Sequence, residues 1–184
     1  RIETRAEQQG DHYVLNGSKT LVLDGHVADK LLVVARSGGS ADSSDGLSVF
    51  LLDRNSPGVE VTRTWMVDSR NSAKVVLKDV SVAAEDLLGS EGQAWAGLEQ
   101  VLDIARVGLA AEMLGSMEET FSRIVDYLNQ RQQFGVLIGS FQGLQHRAAV
   151  MYSEIELCRS ILRAAMAAID NEELSQQEVA ALAS

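Results

Sequence analysis

Cysteine, histidine and proline are scarce in this chain, and the scarcity excludes several kinds of site. The one cysteine, Cys158, cannot form an internal disulfide, which fits a reducing compartment such as the cytoplasm. It falls on an apolar helical stripe, where we expect it to pack as a small hydrophobe. The three histidines, His12, His26 and His146, have no partner at metal-ligand spacing, so no zinc site is expected.

Long apolar runs and basic residues are also lacking. No stretch approaches the roughly 20 apolar residues that span a bilayer, so no membrane span is expected. The formal net charge of −10 disfavours nucleic-acid binding, which usually needs a basic surface. Any bound anion must be held by a few placed cations or by backbone N–H groups. Because the chain has no initiator methionine, we expect it to be a piece of a longer protein.

What is present in residues 1–90 has the patterns of an antiparallel β domain. Asn16-Gly17, between two apolar runs, predicts a hairpin turn, and Pro57-Gly58 predicts a type II turn. The stretch SGGSADSSDG has the composition of a flexible loop. Short strands joined by turns favour a small barrel or sandwich. Apolar, β-branched runs predict strands at 30–36, 47–54 and 73–80.

Residues 91–184 change to the three- and four-residue spacing of amphipathic helices. The spacing predicts one long helix at Gln93–Gln132 and a second, antiparallel helix from about Ser140 to Ile169. Ser175 and Glu178 form a capping box that predicts a third helix. Two helices and a stub cannot close a bundle, so the fold class is α+β: a β-barrel or sandwich followed by an incomplete four-helix bundle.

Four stretches, in this order, resemble the acyl-CoA dehydrogenase family. The resemblance implies that residues 1–90 are the middle β domain and that residues 91–184 are part of the C-terminal helical domain. The first stretch is similar to the central β-domain hairpin and the last to the family's most recognisable segment. The four are YVLNGSKTLVLDGHVADKLLVVAR (13–36), SRNSAKVVLKDVSVAAEDLLG (69–89), RVGLAAEMLG (106–115) and RQQFGVLIGSFQGLQHRAAVM (131–151).

The resemblance implies a flavoprotein enzyme. Family members bind FAD, oxidise acyl-CoA thioesters to 2-enoyl-CoA, and assemble as oligomers with FAD at the subunit interface. An electron-transfer flavoprotein is a possible electron acceptor. Most members carry the catalytic glutamate late in the helical domain, here beyond Ser184. A minority carry it just before the arginine that matches Arg106, where this chain has Ala105. We therefore expect no catalytic base in this chain, and an inactive fragment.

Three residues between the two long helices are candidates for FAD binding. By resemblance, the arginine matching Arg131 reaches the FAD pyrophosphate of the neighbouring subunit, the glutamine matching Gln142 contacts the same FAD, and Phe134 lies between them in the sequence. A planar guanidinium can hold phosphate oxygens in pairs, and a helix N-terminus favours anions. Without the resemblance, the residues alone favour a plain helix C-terminus, with Arg131 stabilised by the helix dipole and Gly135 as the cap.

Two further pairs are candidates for cofactor and substrate contacts. The family usually has an aromatic residue at the position of Leu21 and Ser or Thr at that of Leu23, against the flavin. Leucine cannot donate a hydrogen bond, so either backbone groups compensate or the flavin chemistry is altered or absent. Arg106 matches an arginine near the acyl-CoA pocket, with Asp103 one turn before it. Their spacing alone is also typical of a surface ion pair.

Two other functions stay open. The chain could belong to a non-catalytic subunit that completes a partner's FAD site through Arg131, which the leucines at positions 21 and 23 favour. It could also belong to an acyl-CoA oxidase of the same fold, which passes electrons to oxygen. The acyl-CoA substrate is common to the two enzymatic interpretations.

Overall fold

The computed structural model describes residues 1–68 and 70–171. The chain forms two compact units, Arg1–Leu98 and Glu99–Ser184. The first is built mainly from strands, and the described part of the second is built mainly from two long helices. Among the described helices, none is both long enough and apolar enough to cross a membrane.

Seven strands form one sheet in the first unit. They are β1 (Arg5–Gln9), β2 (His12–Leu23), β3 (Lys30–Arg36), β4 (Leu47–Asp53), β5 (Val59–Trp65), β6 (Asn71–Ala83) and β7 (Leu87–Leu88). Their spatial order is β5-β6-β2-β1-β3-β4-β7, with β5 and β7 at the two ends. The α+β class is confirmed, but the hydrogen bonds between these strands do not close a barrel.

Neighbouring strands are antiparallel, with one exception. β1 has β2 on one edge and β3 on the other. β1 and β3 are parallel and pair through Arg5 and Arg36. The antiparallel β domain expected from the sequence is therefore confirmed, with this one parallel contact added. The reason is that the chain reverses direction between β1 and β2 and again between β2 and β3, so β3 returns in the direction of β1.

The core of the β unit lies on one face of the strands. Side chains alternate along each strand, and alternate residues of β2, β4 and β6 are buried. The rings of Tyr13 and Phe50 pack at 5.0 Å between centroids, and the Tyr13 hydroxyl donates to Glu91 Oε2 at 3.0 Å. This contact fixes the segment that leads out of the sheet.

The hairpin predicted at Asn16-Gly17 does not exist, because β2 continues through both residues. The turn is at Gly10-Asp11, between Gln9 and its partner at the start of β2. Gly17 has a different role: a Cβ added there would lie 2.8 Å from the Cα of Thr4. Glycine is required by this close approach of backbone rather than by a turn.

Other local signals in the β unit are confirmed. Val59 N donates to Ser56 O at 3.1 Å, and Gly58 has a φ of +88°. Pro57-Gly58 therefore forms the expected type II turn. The runs at 30–36 and 47–54 form β3 and β4, which pair along their whole length.

The glycine- and serine-rich loop after β3 is organised around a buried arginine. The guanidinium of Arg36 uses all five of its N–H groups, and each donates to a backbone carbonyl. The end of the loop is bonded to the segment before the helices, since Gly46 N donates to Gly92 O at 3.2 Å. Ser48, at the start of β4, accepts from Gly92 N through its Oγ at 2.8 Å. The carbonyls belong to Ile2, Gly38, Ala41, Ser43 and Asp45.

Two long helices and a short hairpin follow the sheet. They are α1 (Trp95–Leu128), β8 (Gln132–Gln133), β9 (Val136–Leu137) and α2 (Gln142–Asn171). The helices are antiparallel, because Val107 of α1 packs with Ala165 and Ala168 near the end of α2. Further along, Arg159 Nη2 of α2 donates to Glu118 Oε1 of α1 at 2.7 Å.

The two predicted helices are confirmed, but the predicted packing of Cys158 is wrong. α1 is one continuous helix as expected, although it ends four residues before Gln132. Cys158 is exposed rather than packed, because one neighbouring helix covers only part of a wide apolar stripe. The third helix predicted from Ser175 lies outside the described residues.

Candidate functional site

The segment from Arg131 to Gln142 is a tight hairpin rather than a helix cap. Ile138 N donates to Arg131 O at 2.9 Å and closes the base of the hairpin. Phe134 and Gly135 form its tip, with φ values of +53° and +78°. α1 has already ended at Leu128, so the interpretation of Gly135 as a helix cap is wrong.

The three predicted cofactor residues are all accessible on this segment. The Phe134 side chain is 91% exposed, and its ring contacts that of Phe141 edge-on, at 6.2 Å between centroids. Gln142 follows immediately as the first residue of α2. Within the described ranges, the guanidinium of Arg131 and the amide of Gln142 have no hydrogen-bond or ion-pair partner. The hairpin therefore presents a free cation, an exposed aromatic ring and a helix N-terminus.

The backbone at Phe134 is unusual for an aromatic residue. A positive φ is disfavoured for any side chain that carries a Cβ, and a bulky residue in this region indicates strain or function. Burial does not compensate for the strain, since the ring is almost entirely exposed. Exposed aromatic rings of this kind are suited to contact a ligand or a partner surface.

Leu21 and Leu23 lie at the end of β2 and form a second candidate surface, which we call the leucine ledge. They are 58% and 73% exposed, while Val22 between them packs against the core. Between Lys19 and Val22, β2 contains one residue more than the facing part of β6, which is a β-bulge. Leu21 sits in this bulge with a φ of +54°.

The leucine ledge has the shape and chemistry to support a flat apolar ring. Two leucines point away from the core on a rigid strand, and burying an exposed leucine stabilises a complex by about 1–2 kcal/mol. The exposed apolar surface of the two leucines therefore fits a flavin. Ser72 of β6 faces Leu23, and its Oγ is buried without a hydrogen-bond partner in the described part of the chain. No pattern in the sequence points to Ser72, because only the strand register places it there.

Asp103 and Arg106 form an ion pair on α1, but not a surface pair. Asp103 is only 4% exposed, and Arg106 Nη1 donates to its Oδ1. The second carboxylate oxygen, Oδ2, is buried and has no hydrogen-bond partner among the residues that the structure describes. An ordinary exposed pair would leave both groups in water, so that interpretation is wrong. A buried acceptor without a hydrogen bond is uncommon in folded proteins and needs an explanation.

Position 105 on α1 is an alanine, which carries no titratable group. Ala105 lies on the exposed side of α1, whereas Asp103 and Val107 are buried on the opposite side. Asp103 therefore points away from the direction of Ala105, as expected for residues two apart on a helix. No cluster of three or more candidate metal ligands occurs in residues 1–68 and 70–171.

Burial changes the pKa of two groups in the β unit. Burial, followed by the hydrogen bond to Glu91, raises the pKa of the Tyr13 hydroxyl above its usual value. Burial lowers the pKa of the Lys19 ammonium, at the start of the bulge that carries Leu21.

Comparison with known proteins agrees with the fold and with the order of these elements. Residues 1–80 match the acyl-CoA dehydrogenase middle domain, and residues 92–183 match the acyl-CoA dehydrogenase C-terminal domain. The chain belongs to the acyl-CoA dehydrogenase family, whose members are oxidoreductases.

Individual relatives are similar along most of this chain. It is 34% identical to the cyclohex-1-ene-1-carbonyl-CoA dehydrogenase of Syntrophus aciditrophicus over 92% of its own length and 41% of the relative's. For the mitochondrial short/branched chain specific acyl-CoA dehydrogenase of Bos taurus, the identity is 32%, over 86% and 37% of the two chains. The chain thus spans less than half the length of these relatives.

Solved structures show the same fold. Butyryl-CoA dehydrogenase from Megasphaera elsdenii superposes with a TM-score of 0.88 and 31% identity, over 99% of this chain and 48% of that one. A chain solved in work on the electron transferring flavoprotein of Acidaminococcus fermentans superposes with a TM-score of 0.86 and 34% identity, over 99% and 48%.

Proposed function

We propose that the chain is part of an FAD-dependent acyl-CoA dehydrogenase that oxidises an acyl-CoA to the 2-enoyl-CoA. The observation that carries the proposal is the hairpin from Arg131 to Gln142. It combines an unpaired guanidinium, an exposed and strained Phe134, and the start of a long helix. A diphosphate needs a group of this kind in a protein whose net charge is −10.

The two parts of the chain have different roles toward FAD. Residues 1–90 act as the middle β domain, and the leucine ledge supports the flavin ring. Residues 91–184 act as the first part of the helical domain, and Arg131 and Gln142 hold the FAD of a neighbouring subunit. The full protein is therefore a homo- or hetero-oligomer, because each cofactor is held by two subunits.

Asp103 and Arg106 bind the acyl-CoA. Asp103 Oδ1 orients the guanidinium of Arg106, which remains half-exposed and free to contact the substrate. Removing Asp103 would release Arg106 from this orientation and weaken substrate binding. A carboxylate in this position orients and binds, and it does not abstract the proton.

The reaction needs a general base within hydrogen-bond reach of the substrate α-proton. Bound FAD would supply the acceptor for the hydride. Ala105 offers no titratable group, and Asp103 is buried on the other side of α1, so the residues described here position the ligands and do not move the proton. The base is contributed by a part of the protein outside this chain, and the 184-residue chain alone is inactive.

The test compares the full-length protein with the 184-residue chain. Both are purified and dialysed, their retained FAD is measured by absorbance, and acyl-CoA-dependent reduction of a dye is followed. The full-length protein should retain FAD and turn over, and the chain should do neither. Sustained turnover by the chain would show that the base has been misplaced. Absence of FAD from the full-length protein would overturn the proposed function.

A second candidate is a non-catalytic subunit that completes a partner's FAD site. The observation that favours it is the leucine ledge, because neither leucine can donate to the flavin. This candidate predicts FAD binding only after the catalytic partner is added. Electron-transfer flavoprotein is the proposed acceptor of the enzyme, whereas an oxidase would produce hydrogen peroxide from oxygen, so a peroxide assay separates those two possibilities.

A further inference from the structure

One lysine of the β unit lies on the core face of the sheet. Lys19 of β2 faces Val75 of β6, and Val75 in turn faces Val61 of β5. Val75 is buried in the core, and Val61 packs against it. Residues that face each other across strands share one face of the sheet, so Lys19 extends along an apolar surface. Its side chain is half-buried, which leaves part of it accessible to solvent.

The surroundings of Lys19 differ from those of the other three lysines in the chain. Lys30 and Lys78 are exposed, and each forms an ion pair with an acidic side chain of a neighbouring strand, at 3.3 and 2.8 Å. Lys74 is exposed on the other face of β6. In the part of the chain that the structure describes, no ion pair or hydrogen bond joins the Lys19 ammonium to another residue. Lys19 is therefore neither fully hydrated nor paired with an acid.

This environment favours the neutral amine of Lys19. Of the residues that β5 and β6 place on the same face, only Arg63 is charged, and a second cation does not compensate an ammonium. Burial lowers the pKa of Lys19, because the charged form loses water without gaining a partner. The fraction of neutral amine is then larger than on a fully hydrated lysine at the same pH. Lysines desolvated in apolar surroundings are the usual nucleophilic amines of proteins.

We propose that Lys19 is a self-acylation site, at which the side-chain amine takes an acyl group from an acyl-CoA thioester. The nitrogen attacks the thioester carbonyl carbon and forms an amide C–N bond. The C–S bond breaks, and the CoA thiolate leaves and takes up the proton that the nitrogen loses. No electrons pass to an acceptor, so the step needs no other reactant. The inference goes beyond the proposed function, from which it takes only the acyl-CoA, and it does not require FAD.

The position of Lys19 also suits the acylated product. An amide carries no charge, so acylation removes an unpaired ammonium from an apolar surface. The acyl chain can lie along the face that Val61 and Val75 provide, where its burial is favourable. An amide is more stable toward thiols than a thioester is, so the acyl group stays on Lys19. The reaction is therefore a modification of the protein and not a turnover.

The test uses the full-length protein, with acetyl-CoA as the probe. The protein is incubated with acetyl-CoA from pH 7 to pH 9, and the acetylated fraction of each lysine is measured by mass spectrometry of its peptides. Lys74 is the internal reference, since it is exposed on the neighbouring strand. The same reaction in urea shows what the local sequence contributes without burial. Lys19→Arg removes the reactive amine, and Lys74→Arg is its matched control.

The proposal predicts a preference for Lys19 that depends on the fold and on pH. In the folded protein, Lys19 should be acetylated several-fold faster than Lys74, and in urea the two rates should become similar. The preference should be largest at pH 7 and should shrink as the pH rises, because every lysine then approaches the neutral form. Lys19→Arg should remove most of the early acetylation of the folded protein, whereas Lys74→Arg should remove little of it.

Two outcomes would overturn the proposal. Acetylation of Lys19 at or below the rate of Lys74 in the folded wild-type protein would show that the half-buried amine is not reactive. A preference for Lys19 that persists in urea would show that burial is not its cause. Both measurements use the wild-type protein, so they do not depend on the folding of a variant. Failure of the full-length protein to bind FAD would refute the proposed function alone, because the acylation of Lys19 does not require FAD.

Discussion

Asn16 and Asp79 hold each other through two hydrogen bonds across neighbouring strands. Asn16 Nδ2 donates to Asp79 Oδ1 at 2.9 Å, and the backbone N–H of Asp79 donates to Asn16 Oδ1 at 2.9 Å. The pair spans an irregularity in the pairing of β2 and β6, and Asp79 has a φ of +49°. One amide side chain therefore stabilises both the bulge and the unusual backbone of its partner.

Asn16→Ala should destabilise the chain by about 1–2 kcal/mol, since it removes both hydrogen bonds and leaves the bulge without its support. Urea unfolding followed by circular dichroism measures the change. Asn55→Ala is a suitable control, because Asn55 is exposed and only its backbone N–H is bonded. Equal effects of the two substitutions would mean that the Asn16 pair contributes nothing to stability.

Tyr13→Phe should lower the free energy of unfolding by about 1 kcal/mol at pH 7, through loss of the hydrogen bond to Glu91. The effect should depend on pH. Because the folded-state pKa of Tyr13 is raised, its stabilising contribution is complete below the ordinary value of 10.0 and is lost as the pH rises above it. Unfolding at pH 7 and at pH 10.5 to 11 would show whether the difference between the two proteins shrinks.

Arg131→Lys in the full-length protein should weaken FAD binding by about 1–2 kcal/mol, because lysine keeps the charge but loses the paired donors of guanidinium. The measurement is the dissociation constant of FAD. Arg123→Lys is the control, since Arg123 is bonded to Glu119 on the exposed surface of α1. Equal FAD affinity in both variants would mean that Arg131 does not bind FAD.

Two glycine substitutions in the 184-residue chain should change the free energy of unfolding in opposite directions. At Gly17 the φ is +146°, and a new Cβ would collide with the backbone of Thr4 at 2.8 Å. Gly17→Ala should therefore destabilise the chain by about 2–4 kcal/mol. Gly108 lies inside α1 with no atom within 4 Å of a new Cβ, so Gly108→Ala should stabilise by about 0.5–1 kcal/mol. Thermal unfolding of both variants checks the two signs.

Local signals in the sequence predicted the elements whose causes are themselves local. The type II turn at Pro57-Gly58 depends on two adjacent residues, and α1 depends on spacing that repeats along the chain. The same reasoning failed at Asn16-Gly17. There the side chain of Asn16 bonds to Asp79, and Gly17 is required by Thr4, so both residues respond to contacts that are distant in sequence.

Residues of the candidate site were predictable from the sequence only where they belong to a recognisable motif. Arg131, Phe134 and Gln142 were identified from their resemblance to a family segment, and the hairpin places them on one small element. Ser72 and the burial of Asp103 were not predictable. The first follows from the register of three strands, and the second from the packing of a helix, and neither leaves a pattern in the neighbouring residues.

The buried guanidinium of Arg36 acts as a bound cation for the carbonyl oxygens of the loop that follows β3. Carbonyl oxygens that converge on a cation are the usual arrangement of a calcium-binding loop, but here the cation is covalently part of the chain. A loop with the composition of a flexible linker thus keeps one conformation. Unlike a calcium-binding loop, it does not lose this conformation when metal ions are chelated. The conformation of the loop depends on the planar five-donor geometry of arginine. It therefore depends on one residue, Arg36.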